Sequence, residues 1–264
     1  IIANHQSFVD ILVMLSLAPK LVMVTNRWVW YSPIFGKIVQ YADFVQTTDG
    51  YEKVLHHLRE KVAQGYSVVV FPEGTRSADC KIHRFHKGAF YLAEKLRLDI
   101  LPVVLYGTGM IISKRQPFYV KRGILCTRIL PRISYADPDF GVTYQECAKA
   151  VARFFRHAYQ ETCDIYSTPA NPYFYRQLVA NYIYKGPVEE WYIRIKVLME
   201  KKYEFFDRII PRKARITDLG CGLGPLSYML SMLSEERTVL GIDYDKDKIA
   251  VANHNFSRNE RIRF

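Results

Sequence analysis

Two short β-branched runs, each broken by a glycine turn and followed by a helical pattern, constrain the fold most. Ser67 to Phe71 reads SVVVF and stops at Pro72-Glu73-Gly74. Arg215 to Leu219 stops at Gly220 and leads to an apolar helical stretch, Pro225 to Leu233. The first run carries no charge, which suits a strand buried on both faces of a sheet covered by helices. Leu21 to Val24, Ile100 to Tyr106 and Thr238 to Ile242 read as further strands. Helical patterns fall at Tyr51 to Gln64, where Gly65 is the stop, and at Gly88 to Leu96, Tyr144 to Thr162, Tyr173 to Tyr184, Val188 to Phe206 and Asp245 to Asn253. Strands alternating with helices predict an α/β fold.

The turn-rich stretch Ser167 to Pro172 marks a boundary. We expect a first domain over 1–165, a linker with a helix over 166–187 and a second domain over 188–264. The second opens as β-α-β-α, with a third strand starting near Ile262, so only the N-terminal part of a doubly wound sheet is present. The first residue, Ile1, and the abrupt stop at Phe264 read as an excerpt of a longer polypeptide.

Charge narrows the partners. The 264 residues carry a net charge of +11, which favours nucleic acid, anionic lipid or phosphorylated substrates. Trp28, Trp30 and Tyr31 beside Arg27 suit a membrane interface. The apolar stretch from Ile100 to Ser113 is broken by Pro102, Gly107 and Gly109 and falls short of the roughly 20 residues a spanning helix needs. The chain is therefore expected to lie on a membrane surface. Five widely spaced cysteines, without a CxxC pair, suggest neither zinc nor a disulfide framework and point to a reducing cytoplasm.

Two clusters carry chemistry. In the first, His5 precedes a helix start at Ser7, a good N-cap, and Asp10 sits on the first turn. Asp10 can hold one imidazole nitrogen and leave the other basic toward an acceptor hydroxyl or amine, a base with its orienter and no enzyme nucleophile. Phe71 to Ser77 (FPEGTRS) then offers Arg76 for phosphate, backbone amides at Gly74 and Thr75, and Glu73 to orient Arg76 or the acceptor. The bland alternative is a capped helix and an ordinary strand-ending turn. His83 and His86 read as part of a polar loop.

NHQSFVD at 4–10, FPEGTRS at 71–77, Lys87-Gly88-Ala89-Phe90 and Leu101-Pro102-Val103-Val104 stand in the order of the lysophospholipid (glycerophosphate) acyltransferase family, which residues 1–160 resemble. The resemblance implies that His5 is a general base held by Asp10. It implies an acyl-CoA or acyl-carrier-protein thioester as donor, no metal, and an acceptor site shaped by Glu73, Gly74, Thr75, Arg76 and Lys87. One departure stands out. Phe44 to Asp49 lacks the Arg that many members use to grip the acceptor phosphate. Arg84, Lys87 or His86 in that role, or a different acceptor, both stay open.

The second cluster is Asp218-Leu-Gly-Cys-Gly-Leu-Gly224 between a strand and a helix, with Asp243 ending the next strand. Gly220, Gly222 and Gly224 let backbone approach a ligand, and Asp243 can bind ribose hydroxyls. A dinucleotide site competes, but Pro225 stands where its last glycine belongs. A turn with no ligand is the bland reading. The pattern resembles class I S-adenosylmethionine methyltransferases, as does the lead-in from Gly186 to Arg212. Together the resemblances imply an acyltransferase fused to a partial, Rossmann-like methyltransferase core, a pairing that resembles multifunctional bacterial proteins and suggests tailoring of a lipid or acyl-chain product. It would act at the cytoplasmic face of the membrane with lipid as partner. A non-catalytic membrane-surface scaffold and a nucleic-acid methyltransferase are the alternatives; the second leaves the first four motifs unexplained, so nucleic acid is disfavoured.

Overall fold

The computed structural model describes residues 1–25, 30–31, 36–37, 44–46, 50–200 and 202–264. Arg27 and Trp28 of the aromatic patch, and Thr47, Thr48 and Asp49, lie outside the described residues. Trp30 packs against the core, while Tyr31 is exposed. The chain forms two compact units, Ile1–Lys121 with Leu125–Gln160, and Arg122–Ile124 with Glu161–Phe264.

The first unit is built on β1 (Ile2–Ala3), β2 (Leu21–Thr25), β3 (Val45–Gln46), β4 (Ser67–Val69), β5 (Pro102–Tyr106) and β6 (Cys126–Ile129). β3-β2-β4 and β1-β5 pair in parallel, β5-β6 antiparallel. A parallel bridge between Ile2 and Val70 joins the two groups into one sheet, with β1 between β4 and β5. Every residue of β5 is buried, as its uncharged sequence requires.

Side-chain alternation along β2 and β4 splits the core. Met23 and Val69 pack with Ile11 and Met14 of α1 (Val9–Leu17). Val22 and Val68 pack on the opposite face with Val54, Leu55 and Leu58 of α2 (Tyr51–Ala63) and Leu92 of α3 (Gly88–Leu96). Each such side chain contributes about 1.5–3 kcal/mol by burial. Gly65 ends the α2 turn at φ +82. The basic stretch Tyr119 to Leu130 holds β6. α4 (Thr108–Ile111) follows β5 directly.

α5 (Tyr144–Tyr166) buries Val151, Phe155 and Tyr159 at helical spacing and crosses the division between the units, which falls after Gln160. The turn-rich residues 167–172 thus lie inside the second unit. There Asn171 caps α6 (Pro172–Ala180) by accepting from Tyr173 N–H.

The expected helix from Val188 to Phe206 is two helices, α7 (Pro187–Met199) and α8 (Lys202–Ile209). Glu200, with φ −91 and ψ 82, leaves the helical region between them. No Gly or Pro marks this break. What fixes α8 is Arg237, fully buried at the start of β8, which bonds Asp207 Oδ1 at 2.6 Å and the carbonyls of Asp207, Ile210 and Pro211.

β7 (Ala214–Leu219), β8 (Arg237–Ile242) and β9 (Ile262–Arg263) form a parallel sheet in that order. α9 (Pro225–Leu233) is almost wholly buried, and α10 (Lys246–Asn253) starts at an Asp245 cap. One sheet face buries Val239 and Ile262; the other leaves Leu219, Leu240 and Ile242 exposed. Among the described residues β7 pairs on one edge alone.

Candidate active site

The loop between β1 and α1 carries His5. Asn4 fixes its start: the side-chain amide donates to Leu105 C=O and accepts from Leu105 N–H, both at 2.8 Å, on β5. Glu73 fixes its middle, accepting His5 N–H through Oε1 at 3.0 Å and His83 N–H through Oε2 at 2.9 Å. Ser77 N–H donates to His5 C=O at 2.7 Å. The imidazole stacks on Phe71 with ring centres 4.2 Å apart.

Asp10 is fully buried, and its Oδ2 gathers three partners: His5 Nδ1 at 2.8 Å, Gln6 N–H at 2.6 Å and Ser7 N–H at 2.7 Å. Asp10 can reach back because it sits on the first turn of α1, where a carboxylate also meets the positive end of the helix dipole. Ser7 Oγ accepts from Val9 N–H and donates to Ile112 C=O, while Phe8 takes the capping position itself. The expected Ser7 cap is therefore one residue early. With Nδ1 engaged, Nε2 is the nitrogen left for chemistry.

His5 lines a cavity of about 610 Å³. Its polar end holds His5, Gly74, Thr75, Arg76, His86 and Lys114. Its walls are apolar, with Ile11, Met23, Val24, Phe44, Val54 and Leu92. The Arg76 guanidinium lies 3.6 Å over the Phe8 ring. Burial lowers its pKa, and the nearby Asp10 charge opposes that. Gly74 turns the chain at φ +68, which spares a Cβ that would crowd His86.

Two expectations change here. Glu73 does not orient Arg76; both its oxygens hold backbone, at His5 and His83. Burial raises its pKa above the usual value, and those two amide bonds partly offset the shift. Lys87 does not line the cavity; it takes the N-cap position of α3 and is exposed. Of the residues considered for the missing Arg, His86 reaches the cavity and Arg84 does not.

The sequence reading missed Lys114. Its ammonium donates to Arg76 C=O at 2.7 Å and Thr75 Oγ1 at 3.2 Å, which sets a second cation beside Arg76. Nothing local to Ser113-Lys114-Arg115 signals this, because α4 folds the segment over the turn.

In the second unit, Asp218 sits one residue before the end of β7, and its Oδ2 accepts from Ser227 Oγ at 2.6 Å. Gly220, Gly222 and Gly224 all have positive φ. Gly220 and Cys221 N–H donate to Ile242 C=O, and Gly222 N–H donates to Asp243 Oδ2 at 2.7 Å. Asp243 Oδ1 accepts from Asp245 N–H at 2.9 Å. These backbone bonds pull the Asp243 pKa down, so it stays ionised as a hydroxyl acceptor. A Cβ placed on Gly220 would meet open space, so beside that glycine the loop leaves room for a ligand.

Residues 1–106 match the family model described as Acyltransferase, and residues 202–263 match the Methyltransferase small domain. A 1-acyl-sn-glycerol-3-phosphate acyltransferase of Chlamydomonas reinhardtii is 33% identical over 52% of this chain and 43% of its own length. The chloroplastic enzyme LPAT1 of Arabidopsis thaliana is 36% identical over 42% of this chain and 32% of its own. The chain thus spans less than half of either relative. The crystal structure of the 1-acyl-sn-glycerophosphate acyltransferase PlsC of Thermotoga maritima aligns with TM-score 0.52 and 27% identity, over 61% of this chain and 64% of that one.

Proposed function

We propose that this chain, which joins an acyltransferase-family domain to a methyltransferase small domain, transfers a fatty acyl group from a thioester to a phosphate-bearing lipid acceptor. The observation that carries the reading is the His5–Asp10 pair at one end of a cavity that is cationic there and apolar along its walls. The acceptor hydroxyl oxygen attacks the thioester carbonyl carbon while His5 Nε2 takes its proton. The tetrahedral intermediate collapses, the C–S bond breaks, and His5 returns the proton to the leaving thiolate. The apolar walls suit the acyl chain, and Arg76 with Lys114 seats the acceptor's anionic group. Acyl-CoA and acyl-carrier protein both present the required thioester.

The second unit fits S-adenosylmethionine, which when bound supplies an activated methyl group. Gly220, Gly222 and Gly224 would pass its backbone-facing side, Asp243 would accept from ribose hydroxyls, and Asp218 lies at the mouth of the loop. Among the described residues no helix is long and apolar enough to cross a membrane. The charge and the lipid acceptor support action on a membrane surface, at its cytoplasmic face.

Acyl transfer by the full-length protein tests the reading, with labelled acyl-CoA and acyl-carrier protein as donors and lysophosphatidic acid and a lipid extract as acceptors. His5→Ala is expected to lower kcat by about 10²–10⁴-fold. Equal activity of variant and wild type would sink the mechanism. Inactivity of both with every donor and acceptor would favour a scaffold.

A further inference from the structure

The chain that leaves α4 is tied at its neck and bare at its tip. Lys121 N–H donates to Ile111 C=O at 2.8 Å, which closes residues 111–121 into an Ω-type loop of the first unit. Ser7 Oγ donates to Ile112 C=O at 2.8 Å, and the Lys114 ammonium donates to Thr75 and Arg76. The neck is thus fixed to the two turns that carry His5 and Arg76. Inside the loop, Gln116 N–H donates to Ser113 Oγ at 3.1 Å and Tyr119 N–H to Gln116 C=O at 3.2 Å.

The tip is a run of three apolar residues in water. Phe118 is 87% exposed, Tyr119 64% and Val120 66%. Single exposed apolar side chains are ordinary, whereas three in succession are unfavourable unless something covers them. The flanks of the tip are basic. Lys114 and Arg115 precede it, Lys121 and Arg122 follow it, and no acidic residue stands between Asp99 and Asp137 in the sequence. Whatever covers the tip must be apolar beneath it and anionic around it. A leaflet with anionic headgroups offers both, with rings held at headgroup level and cations beside the phosphates.

We propose that the 111–121 loop docks the first unit on an anionic lipid surface, with Phe118 and Val120 entering the boundary between headgroups and acyl chains and Arg115 against the phosphates. This rests on the reading of the His5 site as one that acts on a lipid acceptor. Phe118 lies four residues from Lys114, a span of at most about 14 Å, and Lys114 lines the cavity. Docking by the tip therefore brings the cationic end of the cavity close to the leaflet that holds the acceptor.

Two variants of the full-length protein test this. Phe118→Trp sets an indole at the tip. With vesicles of phosphatidylserine and brominated phosphatidylcholine, its added emission is expected to be quenched relative to wild type. Phe118→Ser combined with Val120→Ser removes apolar surface without changing charge, at positions exposed enough to leave folding intact. It should raise KM for vesicle-borne lysophosphatidic acid about tenfold, while a short-chain, monomeric lysophosphatidic acid is acylated as by wild type. Unquenched indole emission overturns the docking, as does an unchanged KM on vesicles or an equal loss on both acceptors. A loss seen with acyl-carrier protein as donor and not with acyl-CoA would make the tip a carrier-protein contact and overturn it too. If wild type acylates neither acceptor, the acyl-transfer reading falls and the quenching alone decides the loop.

Discussion

Asp10 shows how one carboxylate can hold both a loop and a neighbouring imidazole. Its Oδ2 bonds two backbone amides and the His5 ring, so loop shape and base orientation are set together. Lys114 belongs to the same scale. As the cation beside Arg76, its replacement in Lys114→Met should raise KM for a phosphate-bearing acceptor about 10–100-fold and leave kcat nearly unchanged. Steady-state kinetics against lysophosphatidic acid checks this, with a neutral monoacylglycerol as control; equal effects on both acceptors would remove Lys114 from anion recognition. Glu73 gives a pH signature. Its folded pKa is raised by burial above the ordinary 4.5, so the folded state holds the proton more tightly than the unfolded. That contribution is present in full below pH 4.5 and is lost as pH rises through the folded value. Denaturant titrations across this window should show wild type losing stability relative to Glu73→Gln as pH rises. The opposite slope would mean that the two amide bonds outweigh burial.

At the scale of elements, Arg237 is the pin that holds α8 against β8. Arg237→Ala removes the nearer of two arginines on Asp207, leaving Arg212 at 3.2 Å, and frees three carbonyls, and should cost about 3–5 kcal/mol in chemical denaturation. A loss under about 1 kcal/mol would show the pair to be dispensable. This element was hidden in the sequence, whereas others were plain. SVVVF and the Gly65 stop declared β4 and α2 because an uncharged β-branched run and a left-handed glycine act locally. Pro225 to Leu233 emerged as the helix expected. The break at Glu200 did not, because no glycine or proline marks it. The same division runs through the site. His5 and Asp10 were legible because their spacing is itself the geometry, and Arg76 because it stands in the turn that ends an uncharged strand. Glu73 was read as orienting Arg76 or the acceptor, but it does not line the cavity, and its partners are backbone amides that no side-chain pattern encodes. Lys114 was illegible, brought in by α4 from a stretch with no signal of its own.

For the whole molecule, a net charge of +11 should draw the protein to anionic surfaces. Co-sedimentation with phosphatidylserine-containing vesicles is expected to exceed that with phosphatidylcholine alone and to fall as sodium chloride rises from 0.05 to about 0.5 M, where the Debye length shrinks below ~5 Å. Binding indifferent to both lipid and salt would rule out electrostatic attachment. The division into two compact units bears on a different property, how the protein melts. Each unit buries its own apolar side chains, and a chain built of two such units need not unfold in one cooperative step. Its thermal scan is therefore to be read as two transitions, and no single melting temperature describes it.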